Sequence, residues 1–191
     1  MLVTYTGKDF DYNNITKESI CIDDIIHSLT RINRFIGHSK RAYTVAEHLF
    51  LCVIMAGELG YSAREKLLVL THDFPEAYTG DCPTPLKQLL PEFKVIESKI
   101  EKALYEHLGI APPTEEEHLK VKRIDNTMLV IEMRDMTLHD YSKYINELTH
   151  VELLDDIGFK VWENGYSEKQ LQRFLHQEFS ELMEDIKNEE V

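Results

Sequence analysis

Apolar residues recur along most of this chain at intervals of three and four, the period of an amphipathic helix. Ile22, Ile25, Ile26, Leu29 and Ile32 form the first stripe, with Asp23 and Asp24 where the helix dipole favours acids and Gly37 as the expected end. From Val45 to Leu59 the chain is apolar on every side except at Glu47 and His48, which predicts a central buried helix closed by Gly60. Ser62–Glu65, Thr114–Glu117 and Ser167–Gln170 read as capping boxes. The stripes they open run through Leu67 to Leu70, through Leu119, Ile124, Met128 and Ile131, and through Leu171, Phe174, Leu175, Leu182 and Ile186. Thr84-Pro85 reads as an N-cap followed by proline at the first helical position. Phe93, Ile96, Ile100, Leu104 and Leu108 then keep helical period as far as Gly109. Only residues 1–19 depart from this: Tyr5, Thr6, Gly7, Asp9, Asp11, Asn13 and Asn14 are turn formers that predict extended or hairpin structure. No repeat or Gly/Ser linker interrupts the pattern, so it predicts one all-α domain with a short N-terminal hairpin.

Composition narrows the function classes. The 191 residues hold 21 Lys and Arg against 34 Asp and Glu, a net charge of −13, which argues against a polymeric nucleic acid as partner. The longest apolar run, Leu49 to Ala56, is too short to span a bilayer, and Met1 to Tyr5 lacks the regions of a signal peptide. Cys21, Cys52 and Cys82 are odd in number and widely spaced, which predicts a reduced, cytoplasmic protein.

With nine histidines a His-Asp dipeptide arises readily by chance, and the chain has two, His72-Asp73 and His139-Asp140. Context separates them. His72-Asp73 ends the apolar run Leu67-Leu68-Val69-Leu70-Thr71, so both side chains are expected in or beside the core. A buried imidazole and carboxylate need a partner, and a divalent cation satisfies both. His48 stands inside the most apolar helix, and Asp125 stands between Ile124 and Met128-Leu129. Three buried-looking polar spots on three helices form the pattern of a metal centre. His139-Asp140 lies among Arg134, Asp135, Ser142 and Lys143 and reads as surface.

These residues resemble the HD-domain phosphohydrolases, whose signature is an early His, a His-Asp doublet and a distant Asp. The segment from His72 to Lys87 is similar to the H-D-x-x-E-x-x-x-G-D-x-P-[ST]-P-x-K segment of bacterial 5'-deoxynucleotidases and of phage HD-domain dATP triphosphohydrolases. Arg31-Ile-Asn-Arg34-Phe35 and Val45-Ala-Glu-His48 match upstream, and Val121-Lys122-Arg-Ile-Asp125 matches downstream. The resemblance implies a single HD domain over residues 1–191, with a metal-site core at 20–135 and a C-terminal helical extension at 136–191. It implies His48, His72, Asp73 and Asp125 as ligands of one divalent cation, with Co, Mn, Zn, Fe, Ni and Mg all open. It further implies Glu76 as the residue that orients or deprotonates the attacking water, supported by Asp81 from the Gly80 turn. Glu76 follows His72 by one helical turn, although Pro75 should kink or restart the helix between them. Arg34, Lys87 and Lys122 are implied as phosphate contacts, Phe35 and Pro85 as nucleoside-pocket residues, and Arg31, Lys40, Arg41 and Arg123 are left to the surface. Phe35 alone reads equally well as core, and the role of His38 stays open.

The implied reaction is hydrolysis of a deoxynucleoside 5'-phosphate by a metal-activated water. A dNTP triphosphohydrolase with dATP as first candidate is favoured over a 5'-deoxynucleotidase acting on dNMPs, and a homo-oligomer is expected. A cyclic-nucleotide phosphodiesterase is disfavoured because only His107 and His118 fall between the doublet and Asp125. A non-catalytic nucleotide sensor is disfavoured because the ligand set and Glu76 are all present.

Overall fold

The computed structural model describes residues 1–154 and 159–189; residues 155–158 and 190–191, parts of the 136–191 extension, lie outside the described residues. At the N-terminus, β1 (Leu2–Val3) pairs antiparallel with β2 (Asp9–Phe10), Leu2 opposite Phe10. The remaining architecture is helical, as the periodicity predicts. It comprises α1 (Ile22–Leu29), α2 (Val45–Glu58), α3 (Ala63–Thr71), α4 (Glu76–Thr79), α5 (Thr84–Lys87), α6 (Pro91–Leu108), α7 (Glu115–Met136) and α8 (Glu168–Glu189). Among the described residues no helix is long and apolar enough to cross a membrane.

The capping residues act as the sequence requires. Ser62 and Glu65 close a reciprocal box at the start of α3, Thr114 and Glu117 do so at α7, and Ser167 and Gln170 exchange bonds ahead of α8. These pairs satisfy amide donors that a helix start leaves open. Helices α2, α3 and α7 pack on one another, and α8 covers α2 and α3. Their shared core includes Leu49, Leu67, Leu70, Met128, Ile131 and Leu175, all withdrawn from solvent.

Three local expectations need correction. Helix α1 ends at Leu29 instead of continuing to Gly37. The chain is drawn away because Asn33 bridges Thr44 and the Arg34 N–H donates to the Tyr43 carbonyl (2.8 Å). Arg34–Gly37 forms a separate 3-10 turn in which Phe35 (φ 57°) and Ile36 (φ 51°) occupy the left-handed region. Pro83, not Thr84, takes the cap position of α5, because its carbonyl accepts from the Leu86 and Lys87 N–H groups (2.8 and 2.9 Å). Arg41 is no loose surface cation: its guanidinium donates to both carboxylate oxygens of Glu47 (2.6 and 2.8 Å) and to the Trp162 carbonyl (2.6 Å). His139 and Asp140 are exposed, as expected.

The N-terminal segment and α1 support α4 from behind. Phe10 stacks on Tyr78 with ring centroids 4.1 Å apart, the Tyr12 hydroxyl donates to the Tyr78 carbonyl, and Ser28 Oγ donates to the Ala77 carbonyl (3.0 Å). Buried Asp24 anchors the hairpin turn by accepting from the Thr6 N–H (2.7 Å) and the Thr6 hydroxyl (3.0 Å). Burial opposes its ionisation, but bonds from Thr4 and Thr6 hold its pKa below the usual carboxylate value. A depressed folded-state pKa means the stabilisation is complete above the unfolded value of ~4 and is lost as pH falls below it. Asp24→Ala should therefore cost about 1–3 kcal/mol at neutral pH and flatten the loss of stability on acidification below pH ~4. Urea titrations at neutral and acid pH check both effects; unchanged midpoints would remove Asp24 as the anchor.

Candidate metal centre and its cleft

The central helix α2 buries His48 completely, one residue after Glu47 and one turn before Cys52. Helix α3 stops at Thr71, and residues 72–75 turn before Pro75 opens α4. Proline has no amide hydrogen to continue α3, so His72 and Glu76 fall on separate elements, as the kink at Pro75 predicts. Asp125 reaches the same place from α7.

Ligand atoms of His48, His72 and Asp73 lie within 4.8 Å of one another. The two Nε2 atoms approach to 3.4 Å, and Asp73 Oδ2 lies 3.6 and 3.5 Å from them. Asp125 Oδ1 lies 3.4 Å from His48 Nε2 and 3.8 Å from His72 Nε2. Each ring is oriented through its other nitrogen. His48 Nδ1 is 2.6 Å from Glu132 Oε1 and His72 Nδ1 is 2.7 Å from the Val69 carbonyl; both oxygens accept, so both Nδ1 atoms carry hydrogen. Neutral rings in this tautomer direct two Nε2 lone pairs and two carboxylates at one point.

Such convergence suits a divalent cation and needs positive charge there. Burial would depress the His72 pKa, yet the charges of Asp73 and Asp125 lift it to about 9, the mark of a place that favours positive charge. Partial desolvation opposes ionisation of Asp125, but His72, His48 and Arg34 hold its pKa below the usual range. Two imidazoles and two carboxylates form a mixed nitrogen–oxygen donor set for a borderline divalent ion. One expectation changes: Asp125 is not sunk in the core, since 44% of its side chain is accessible. It forms a wall of the cleft that opens over the centre.

Glu132 is a residue of this site that the sequence motifs do not mark. It is inaccessible to solvent and gathers three groups: His48 Nδ1–H, the Tyr43 hydroxyl (2.9 Å) and the guanidinium of Arg34 (Nε at 3.2 Å). Burial would raise its pKa, but Arg34 and His48 hold it below the usual carboxylate value. Arg34 spans Glu132 and Asp73, donating to Asp73 Oδ2 at 3.3 Å. Its fork is thus largely committed to protein carboxylates, which qualifies its expected role as a free phosphate clamp. Cys52, also absent from the motif reading, packs its Sγ 3.5 Å from His48 Nε2. Its burial, followed by the nearby Asp125 and Glu132 charges, pushes the thiol well above its usual pKa.

Two cavities meet at the centre, sharing Asp73, Glu76, Lys87 and Asp125. One, of 550 Å³, runs between α6 and α7 past His118 and Lys122. The other, of 330 Å³, is bordered by Arg34, Phe35, Asp81 and Pro85. The structure therefore brings the expected site residues together around one cleft, whereas His38 is exposed. Lys87 Nζ lies 2.7 Å from Glu97 Oε1 and 3.6 Å from Glu76 Oε1, while Glu76 Oε2 is buried without a hydrogen-bond partner. Burial, followed by the like charges of Asp73 and Asp81, holds the Glu76 pKa well above the carboxylate range, against Arg34 and Lys87. Burial raises Asp81 in the same direction.

The HD-domain family model matches residues 26–130, the stretch holding His48, the doublet and Asp125. The uncharacterized Escherichia coli K12 protein YfdR is 41% identical over 140 residues, 73% of this chain and 74% of its own length. An uncharacterized Rhodobacter capsulatus protein is 31% identical over 110 residues, 55% of this chain and 56% of that protein. Among solved structures, the cyanophage S-2L HD phosphohydrolase DatZ, bound to dA and one catalytic Zn²⁺, superposes with a TM-score of 0.48 at 21% identity, covering 86% of this chain and 98% of that one.

Proposed function

Because this chain belongs to the HD-domain family, a family of metal-dependent phosphohydrolases, we propose that it hydrolyses deoxynucleoside 5'-phosphates. Within that class, a dNTP triphosphohydrolase that releases deoxynucleoside and tripolyphosphate is favoured, with dATP the first candidate. The observation that carries it is the convergence of His48, His72, Asp73 and Asp125 at the meeting point of two cavities.

Those four residues would hold a divalent cation, which would supply Lewis acidity toward water and phosphate oxygen. The chain's own groups then divide the work. Glu76 presents an unpartnered Oε2 with an elevated pKa beside the centre, which suits it to take the proton of the attacking water. Lys87 touches Glu76 and faces the cleft, so its charge steadies that carboxylate and the arriving phosphate. Lys122, one helical turn before Asp125, adds a cation to the same wall. Asp81 and Arg34 fix the opposite side, and Pro85 and Phe35 present apolar surface to the nucleoside. A 5'-deoxynucleotidase would use the same groups on a monophosphate. The proposal includes a homo-oligomer, which light scattering tests.

Incubating the protein with each dNTP, dNMP and NTP, with Co²⁺, Mn²⁺, Zn²⁺, Fe²⁺, Ni²⁺ or Mg²⁺, and separating the products tests the reaction. Deoxyadenosine and tripolyphosphate are expected from dATP; accumulation of dADP or dAMP would refute the triphosphohydrolase reading. Chelation should abolish turnover, and readdition of the effective cation at ~100 times its Kd should add about 2.7 kcal/mol of stability. A melting temperature indifferent to the metal would count against the centre.

A further inference from the structure

We infer that Tyr144, on the 3-10 turn Tyr141–Tyr144, is a specificity-determining residue that forms with Phe35 the aromatic walls between which the base of a nucleotide substrate lies. This rests on the nucleotide reading above and extends it to a residue beyond the stretch matched by the family model.

Helix α7 supplies the axis. Lys122, Asp125, Leu129 and Met133 follow at intervals of three, four and four, so they share one helical face. At 1.5 Å rise per residue that face runs about 16 Å, a length on the scale of a nucleotide. Lys122 borders only the larger cavity, Asp125 stands where the two cavities meet, and Leu129 and Met133 border only the smaller one. The face therefore passes from cation to metal-ligand type to apolar, the polarity of a nucleoside phosphate read from its phosphate end. Phe35 and Tyr144 complete the apolar end.

Both aromatics are held in place. Phe35 occupies the left-handed region without being glycine, a conformation kept only where surrounding bonds impose it. Those bonds include Arg34 N–H to the Tyr43 carbonyl (2.8 Å) and His38 N–H to the Phe35 carbonyl (2.9 Å). The segment following Tyr144 is fastened to α7 beside Asp125. Asn126 donates to Thr149 Oγ1 (2.6 Å), Asn146 donates to Asn126 Oδ1 (2.9 Å), and the His150 N–H donates to Thr127 Oγ1 (2.9 Å). Asp140 caps the turn by accepting from the Ser142 N–H (3.1 Å), and His139 meets the Tyr144 ring edge-on at 5.9 Å. Aromatic faces stack on any base, while the shape of the space between them selects among bases.

The test measures binding of the four deoxynucleosides and of inorganic tripolyphosphate to the Mn²⁺-loaded protein by calorimetry, beside kcat and KM for the four dNTPs. Tyr144→Ala should weaken the preferred deoxynucleoside roughly 5- to 100-fold, alter the ranking of the four, and raise KM more than it lowers kcat. Tripolyphosphate affinity should stay within about twofold, and Tyr144→Phe should restore base binding. Tyr144→Leu serves as a second variant should Tyr144→Ala fail to fold. The inference is overturned when no deoxynucleoside binds the wild type, when the variants leave affinity and ranking unchanged, or when tripolyphosphate weakens equally. Hydrolysis of dNTPs untouched by these variants would reject the wall and keep the reaction. Tyr144-dependent deoxynucleoside binding without hydrolysis would keep the wall and reject the reaction.

Discussion

Glu132→Ala should lower stability by about 3–5 kcal/mol, because it strands the Arg34 guanidinium and the His48 Nδ1–H in the core without their shared carboxylate. At roughly 2–4 °C per kcal/mol for a chain of this size, the melting temperature should fall on the order of 10 °C. Glu132→Gln separates charge from shape. It fills the same space but offers His48 and Arg34 a neutral oxygen, so the ring loses its charged orienter. Metal affinity should drop about 10- to 100-fold, the usual loss when the outer partner of a ligating histidine is removed. Calorimetric metal titrations and thermal melts read the two effects separately. Unaltered metal affinity in Glu132→Gln would mean that His48 is positioned by packing alone.

Glu76→Gln should leave folding and metal binding in place while kcat falls by about 10²–10⁴, the range for loss of a general base. The amide fills the same space but cannot take a proton at Oε2, the buried atom that has no partner among the described residues. The melting temperature should hold or rise, since an unpartnered buried carboxyl is costly and carries the like charges of Asp73 and Asp81 beside it. KM should move little. Turnover within tenfold of wild type would transfer the proton-accepting role elsewhere, with Asp81 the next group to substitute.

Helix positions, and the polar residues proposed as ligands, were legible because each announces itself by its immediate neighbours in sequence. Capping boxes announce where α3, α7 and α8 begin, and a polar residue within an apolar run marks His48 and His72. Glu132 was hidden by the same logic. On an amphipathic helix rich in acids, a glutamate reads as solvated, and only the meeting of α7 with α2 shows that this one is buried. A signal did exist: Glu132 lies seven residues after Asp125, two turns along the same face. Asp125 was placed correctly on that helix but too deep, because periodicity assigns a face without saying whether a cleft opens beside it. The turn at Phe35-Ile36 was unreadable for a different reason. Local preference opposes left-handed backbone at a β-branched isoleucine, and long-range bonds, Arg34 N–H to the Tyr43 carbonyl and Val45 N–H to the Ile32 carbonyl, override it.

The Arg41 clamp limits how this protein can be cut down. Its guanidinium joins Glu47, the neighbour of His48, to the Trp162 carbonyl, and the chain at Gly165 passes so near that an added Cβ would stand 2.6 Å from Arg41 Nη1. A fragment trimmed to the homologous stretch would keep the proposed ligands yet lose the strand of chain that seals a buried carboxylate beside them. Minimal versions built for crystallography or display should therefore retain residues 159–166 and leave position 165 as glycine.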